Sequence, residues 1–245
     1  MEEDVMSFNP PAEGKTIDVN FDFLEARPEF DMSVRPFIIS LFDRACPVVD
    51  LSLSIASQPE IGTFLIADSG EKPENSIIGF ATLVPLEPQG PLSYPYIYIG
   101  AKGDISLINS KKAGFFLCER VLNLPIELIP HLYTQLLLDI QWAEENCQGK
   151  FNFEYILTLS KCLSTLPPSG AARKKRKNVV PDNLVFVRTE DEIFLKNAEE
   201  SFLFECENLG GQVDDETCSH KLVMVLRKNA FFAAVQEIIK KFSAA

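Results

Sequence analysis

The segment from Gly114 to Leu159 constrains the fold more than any other part of this sequence. It opens with the apolar run Gly114 to Arg120, which predicts a strand, and it closes with Phe153 to Leu159, which predicts a second strand that is buried. Between them, apolar residues recur at helical spacing: Ile126, Ile129, Tyr133, Leu136, Leu137 and Ile140. A strand, a long helix and another strand in this order are typical of an α/β fold.

Patterns on either side of this segment predict further strands and helices. Strands are predicted at Ile17 to Phe23, Gly62 to Ala67, Ile77 to Leu83, Ser201 to Glu207 and Leu222 to Arg227. Helices are predicted at Asp31 to Arg44, Ser52 to Gln58, Glu190 to Glu200 and Phe231 to Phe242. The Pro- and Gly-containing segment from Pro85 to Pro95 is predicted to be a loop. We therefore expect one α/β domain at 17–245, in which helices flank a mixed sheet, preceded by a mobile acidic tail at 1–16.

Cysteine and histidine usage argues against a metal site. The six cysteines contain no C-x-x-C pair, and His131 and His220 are the two histidines of the chain. Zinc sites usually show closely spaced ligand pairs, so no metal is expected. The chain opens Met1-Glu2-Glu3-Asp4 without an apolar segment, which argues against a secretory signal. We expect reduced thiols and a location in the nucleus and the cytoplasm.

Charge is the second informative property. The net charge is −12, which disfavours nucleic acid and anionic membranes as direct partners and favours basic proteins. Ten of the carboxylates lie between positions 190 and 216, where Lys196 is the single cation. They are candidates for binding a basic client: Glu190, Asp191, Glu192, Glu199, Glu200, Glu205, Glu207, Asp214, Asp215 and Glu216. Solubility alone is the simpler interpretation of such a charge.

A run of five cations interrupts this acidic chain. Arg173, Lys174, Lys175, Arg176 and Lys177 lie in a segment at 167–181 that begins with two prolines and ends with a third. We predict a basic loop there, and a run of this kind is a candidate nuclear-import signal. A solvated loop, or one that contacts the acidic surface of the same chain, remains open.

The sequence contains little that is typical of catalysis. The patterns of a P-loop, a G-x-S-x-G elbow and an H-E-x-x-H zinc site are all absent. The strand–turn–helix layout at Gly114 is similar to the way GNAT-type acetyltransferases hold acyl-coenzyme A, whose turn reads Q/R-x-x-G-x-G/A. Arg120 fits that pattern, whereas Asn123 and Pro125 replace its small residues, and a proline removes an N–H donor. We therefore expect a degenerate cofactor site, no cofactor and no catalytic residue.

Several ordered motifs together resemble the BCCIP family, whose fungal members are Bcp-type proteins. They are Val19-Asn20-Phe21-Asp22-Phe23, Ile61-Gly62-Thr63, Ile78-Gly79-Phe80-Ala81, Asn197-Ala198-Glu199-Glu200-Ser201-Phe202, and the stretch from Gly114 to Pro125, which is similar to G-x-L-L-x-E-R-h-x-N-h-P. The resemblance covers nearly the whole chain after the tail. It implies a GNAT-like fold that does not bind acyl-coenzyme A.

The same resemblance implies a function in protein binding. Members of the family act in assembly of the large ribosomal subunit, as chaperones of a basic ribosomal protein and in nuclear export, which implies nuclear transport factors as further partners. Animal members are also described as binding a cyclin-dependent-kinase inhibitor and a DNA-repair protein. A chaperone or escort of a basic ribosomal protein is the leading hypothesis for this chain. A cell-cycle or DNA-repair adaptor is the second hypothesis, and a residual acyltransferase is the third.

Overall fold

Helices pack on both faces of one mixed β-sheet. The computed structural model describes residues 20–42, 46–68, 77–90, 92–109, 111–164, 184–206 and 220–244. In this part of the chain the sheet has eight strands. They are β1 (Asn20–Glu25), β2 (Gly62–Asp68), β3 (Ile77–Pro85), β4 (Ala113–Arg120), β5 (Tyr155–Ser164), β6 (Leu184–Phe186), β7 (Glu200–Glu205) and β8 (His220–Arg227).

One parallel pair interrupts an otherwise antiparallel sheet. The strand order is β1-β2-β3-β4-β5-β8-β7, and β6 pairs with the end of β5. Strands β4 and β5 are parallel, and every other pair is antiparallel. The long helix α4 (Leu128–Asn146) connects these two strands, so the unit predicted between Gly114 and Leu159 is confirmed. A parallel pair needs such a crossover, because a tight turn cannot return the chain to the same end of the sheet.

Two apolar cores separate the sheet from its helices. The other helices are α1 (Asp31–Leu41), α2 (Val48–Ala56), α3 (Ser93–Lys102), α5 (Asp191–Asn197) and α6 (Lys228–Phe242). Helices α1, α2 and α3 pack on one face, around residues such as Phe80 and Phe115. Helices α4, α5 and α6 pack on the other face, around Phe116, Phe194 and Phe231. Adjacent strand residues Phe115 and Phe116 thus point to opposite cores, as the pleat of a strand requires.

Three sequence predictions need correction. The segment predicted as a loop up to Pro95 contains the start of α3, whose Tyr98 ring packs 5.3 Å from the ring of Phe42. Helix α4 begins at Leu128, after Ile126, the first residue of the predicted apolar stripe, and it carries Pro130 in its first turn. A short β6 was not predicted. No helix in the described ranges has the length and apolar character needed to span a bilayer.

Two predicted segments lie outside the described residues. They are the acidic tail at 1–16 and the basic loop at 167–181 with its five cations, Arg173, Lys174, Lys175, Arg176 and Lys177. Their predicted properties stay predictions.

Candidate functional site

Strands β4 and β5 separate beyond their paired segment, which opens a gap between them. Their parallel pairing runs from Ala113 opposite Tyr155 to Phe116 opposite Thr158, although both strands continue for several residues. Backbone carbonyls that face such a gap need other partners, because an unpaired buried carbonyl is costly. This gap lies beside the turn at Arg120, Asn123 and Pro125, for which the sequence predicts a degenerate cofactor site.

The guanidinium group of Arg188 occupies the gap. It donates hydrogen bonds to the backbone oxygen of Cys118 on β4 and, at 3.3 Å, to that of Leu159 on β5. Its Nε donates to Oδ2 of Asp191 at 3.0 Å, and its side chain is 7% exposed. Arg188 thereby supplies the donors that a neighbouring strand would otherwise provide.

Arg120, at the end of β4, points into the same region. Its guanidinium donates to both carboxylate oxygens of Glu190, with 3.0 Å between Nη2 and Oε2. The Glu190 side chain has no exposed surface, and the hydroxyl of Tyr133 lies 3.4 Å from its Oε1. Paired guanidinium–carboxylate contacts are strong and geometrically specific. Arg120, which matches the first position of the GNAT-type turn, is therefore paired inside the protein, and its charge is not available to a phosphate.

Gly79 has no side chain, and this leaves room for Arg120 on the neighbouring strand. The two residues are opposite each other in the antiparallel β3–β4 pair. A Cβ atom at position 79 would lie 2.8 Å from Cβ of Arg120 and 3.1 Å from the backbone oxygen of Glu119. Real Cβ contacts are longer than this, so the glycine of the Ile78-Gly79-Phe80-Ala81 motif has a steric function.

A third ion pair completes the network on the other side of the gap. Lys161 Nζ lies 2.9 Å from Oε2 of Glu119, and it also donates to the hydroxyl of Ser40 on α1 at 3.1 Å. Nη1 of Arg188 lies 3.5 Å from Oε1 of Glu119, which connects this pair to the rest. The network contains three cations and three carboxylates: Arg120, Lys161 and Arg188 with Glu119, Glu190 and Asp191. Opposite charges are therefore matched in number, which is what burial of charge requires.

The two adjacent carboxylates differ in their affinity for protons. Burial alone would raise the pKa of Glu190, but the hydrogen bonds and charge of Arg120 bring it below its usual value. Burial raises the pKa of Asp191 from 3.8 to about 6, and the neighbouring charge of Glu190 adds to this effect against the opposing charge of Arg188. Ser160 also donates to Oδ2 of Asp191, whereas its Oδ1 has no hydrogen-bond partner among the described residues. Burial also raises the pKa of the Cys118 thiol to about 11, so this cysteine is a poor nucleophile.

The turn between β4 and α4 does not form an anion cradle. Pro125 has no N–H to donate, and the exposed residue at the N-terminal cap of α4 is Glu127, whose carboxylate would repel a phosphate. Asn123 is exposed and carries a side chain where small residues allow close approach. Val121 and Leu122 are exposed apolar residues of the same turn. Among the described residues, no group of carboxylates, cysteines and histidines has the arrangement of a metal site.

The structure separates the predicted client-binding carboxylates into groups. Glu192 and Glu205 are exposed, Glu200 is partly buried, and the exposed Glu199 forms an ion pair with Arg227 at 2.7 Å. Glu190 and Asp191 are fully buried in the network, so their assignment to a client surface is wrong. Glu207, Asp214, Asp215 and Glu216 lie outside the described residues.

Sequence reasoning missed most of the network. Glu119, Tyr133, Lys161 and Arg188 were not recognised as a site, although Arg188 precedes Asp191 by three positions, a spacing that allows an ion pair. The separation of β4 and β5, which brings these residues together, has no local sequence signal.

The chain has identifiable relatives. The family model described as BCCIP matches residues 101–203. Protein bcp1 of Aspergillus fumigatus is 25% identical over 203 residues, which are 74% of this chain and 69% of that protein. The protein BCCIP homolog of Arabidopsis thaliana is 30% identical over 109 residues, which are 41% of this chain and 33% of that protein.

Solved structures give the fold. The crystal structure of BCP1 from Saccharomyces cerevisiae matches with a TM-score of 0.64 and 16% identity, covering 94% of this chain and 93% of that one. An acetyltransferase of the GNAT family from Streptococcus pneumoniae matches with a TM-score of 0.35 and 10% identity, which is too weak to support a conclusion.

The sheet with its single parallel pair and the closed network at its centre define a single-domain α/β protein in which an open mixed sheet lies between two layers of helices. Within that class, the chain is similar to proteins of the BCCIP/Bcp family, in sequence to bcp1 of Aspergillus fumigatus and in fold to BCP1 of Saccharomyces cerevisiae.

Proposed function

We propose that this chain is a non-enzymatic binding protein that escorts a basic protein of the large ribosomal subunit between the cytoplasm and the nucleus. Similarity to the BCCIP/Bcp family and a net charge of −12 support the proposal. Charge of this sign favours a cationic client and disfavours direct binding to RNA, whose phosphates carry the same sign.

One asymmetry of charge carries the proposal. The three cations of the buried network are paired internally, because Arg120 binds Glu190, Arg188 binds Asp191 and Lys161 binds Glu119. Carboxylates such as Glu192 and Glu205 instead remain on the surface. A protein whose central cations are paired internally and whose acidic side chains remain in solvent is suited to bind cations and not a phosphorylated cofactor.

An escort of this kind works by charge neutralisation. Exposed carboxylates bind the lysines and arginines of a newly made ribosomal protein, which lowers its tendency to aggregate and to contact RNA at wrong places. The cations from Arg173 to Lys177 serve nuclear import in this proposal, and transport factors are the second class of partner.

Capture from a defined protein mixture tests the proposal. The immobilised full-length chain is incubated with proteins extracted by concentrated lithium chloride from purified large ribosomal subunits, and bound proteins are identified by mass spectrometry at rising salt. We expect selective retention of one basic protein at low salt and its release as salt screens the contact. Retention of no ribosomal protein, or retention that salt does not weaken, would contradict the proposal.

A parallel capture from nuclear extract distinguishes the adaptor hypothesis. Selective retention of a cell-cycle or DNA-repair protein, together with no ribosomal protein from the subunit extract, would favour the adaptor over the escort.

A further inference from the structure

A groove lies between helix α4 and strand β1 at one side of the sheet. Its volume is about 680 Å³, and its walls include Phe23 and Glu25 of β1, Glu60, and Leu138, Asp139 and Trp142 of α4. Strand β1 pairs only with β2 in the described part of the sheet, so it forms an edge. The groove is distinct from the buried network described above, because the two share no residue.

The outer face of α4 gives the groove an apolar wall. Leu138 and Trp142 are one helical turn apart, and each is 54% exposed. Trp142 is the single tryptophan of the 245 residues. Large apolar side chains that stand together in solvent beside a concave surface are typical of a binding site, and tryptophan is enriched at the energetic centres of interfaces.

Acidic groups complete the groove. Asp139 accepts hydrogen bonds at 2.9 Å from Thr63 and from Gln135, which fix its carboxylate in the groove. Burial raises the pKa of Asp139 against the hydrogen bonds from Gln135 and Thr63, which lower it, and the charge of Glu25 adds a smaller increase. Among the described residues no lysine or arginine nitrogen lies within 4.0 Å of Asp139 or Glu25, whereas Glu60 is paired with Lys150 at 3.0 Å.

The combination of apolar and acidic walls indicates what kind of ligand suits the groove. The described residues that line the groove include three carboxylates and no lysine or arginine. An apolar ligand would remove water from Asp139 and Glu25 without supplying a positive charge, which is unfavourable. A purely cationic ligand would leave Trp142 and Leu138 in water. A segment with a large apolar residue beside lysine or arginine satisfies both requirements.

From the groove we infer that a cationic client segment binds between α4 and β1, with an apolar side chain against Trp142 and Leu138 and its positive charges on Glu25 and Asp139. The inference rests on the proposed function, since it places the basic client on this chain. It adds the site and the sequence character of the recognised segment.

Variants of the full-length chain test the site with the same lithium chloride extract. Trp142→Ala and the double substitution Glu25→Gln with Asp139→Asn are compared with Ile97→Ala, which removes another apolar side chain that is 56% exposed and lines a different cavity of about 460 Å³. We expect both groove variants to lower the apparent affinity for the captured protein at least about tenfold, while Ile97→Ala captures as the wild type does. Circular dichroism checks that each variant is folded.

The fluorescence of Trp142 provides a test without mutation in the groove. The captured ribosomal protein, purified and with any tryptophan of its own replaced by phenylalanine, is titrated into the wild-type chain. We expect the emission to shift to shorter wavelength and iodide quenching to decrease, because an exposed indole becomes buried. The same signal must be absent when bovine albumin is added.

Each contrary result has a defined meaning. Equal capture by the wild type and Trp142→Ala, with unchanged emission, would remove the groove assignment and leave the proposed function standing. An emission shift that depends on the concentration of the chain alone would show that a second copy fills the groove. A shift in Trp142 emission that results from replacing the cations from Arg173 to Lys177 with glutamine would show that the chain's own basic run fills the groove. Capture of nothing by the wild type would overturn the proposed function and this inference together.

Discussion

Arg120 at the end of β4 donates two hydrogen bonds to Glu190, a residue 70 positions later whose side chain has no exposed surface. This contact joins the strand at the centre of the sheet to the start of helix α5. Arg120 is the one residue of the turn that fits the acyl-coenzyme A pattern, and in this structure its charge is paired inside the protein.

The Arg120–Glu190 pair predicts a strong coupling in a double-mutant cycle. Arg120→Met or Glu190→Leu alone leaves one buried charge without its partner, which costs about 3 to 5 kcal/mol of unfolding free energy. The double substitution removes both charges, so we expect it to be clearly more stable than the sum of the single effects predicts. Urea unfolding of the four proteins measures the coupling.

A surface pair of the same chain is the matched control. Lys111 Nζ lies 3.1 Å from Oε2 of Glu154, and both side chains are largely exposed. Lys111→Met is expected to cost no more than about 1 kcal/mol, because water screens the pair and already solvates its members. Similar costs for Arg120→Met and Lys111→Met would contradict the assignment of Arg120 to a buried network.

Asp191 predicts a specific pH dependence of stability. Its pKa is raised from 3.8 to about 6 in the folded protein, so between these values the folded state holds a proton that the unfolded state has released. The contribution of Asp191 to stability is therefore fully present below pH 3.8 and is lost as the pH rises through 6. Its slope is at most about 1.4 kcal/mol per pH unit.

Asp191→Asn isolates this contribution. We expect the stability of the wild type relative to Asp191→Asn to fall as the pH rises from about 4 to 6 and to stay constant above that range. Urea unfolding at several pH values measures the difference. Glu192→Gln removes one negative charge from the adjacent, exposed position and controls for the change in net charge. A stability difference that increases with pH in this window would show that the sign is wrong.

The sequence predicted helices and strands correctly where the apolar residues of a segment follow one clear spacing. The stripe of α6 that includes Phe231, Val235, Ile238 and Phe242 is buried as its helical spacing predicts, and the strand–helix–strand unit around α4 is confirmed. Helix α3 was missed because its start lies in the Pro- and Gly-containing segment that was predicted to be a loop, and because Gly100 near its end disfavours a helix. Its conformation depends on tertiary packing of Tyr94 and Tyr98 against Phe42.

The candidate sites were less accessible to sequence reasoning, because they depend on contacts between distant segments. The damaged turn at Asn123 and Pro125 was recognisable, since a proline lacks an N–H in any structure. The burial of Glu190 and Asp191 was not, because it depends on Arg120 and on the gap that Arg188 fills. The sequence contained a weak signal for the groove. Leu138 and Trp142 are four positions apart and lie outside the apolar stripe of α4, which indicates an apolar pair that faces solvent.

Gly79 predicts sensitivity to the smallest added side chain. Its missing Cβ atom would lie 2.8 Å from Cβ of Arg120, so Gly79→Ala requires β3 and β4 to move apart. We expect a loss of about 1 to 3 kcal/mol in thermal or urea unfolding. Gly100→Ala is the comparison, because its new methyl group would meet only the flexible end of Ile105 at 3.2 Å and the helix gains an alanine. A loss from Gly100→Ala equal to that from Gly79→Ala would contradict the steric function of Gly79.

Acetyl-coenzyme A provides the last prediction. Calorimetric titration of the wild-type chain is expected to show no binding tighter than about 1 mM, because Pro125 lacks a donor, Glu127 is an anion at the start of α4 and Arg188 fills the gap between β4 and β5. Restoring small residues with Asn123→Gly and Pro125→Ala is expected to leave the chain unable to bind, since the last two obstacles remain. Saturable binding to the wild type would revive the acyltransferase hypothesis. Binding only to the restored variant would show that the turn alone, and not the buried network, had closed the site.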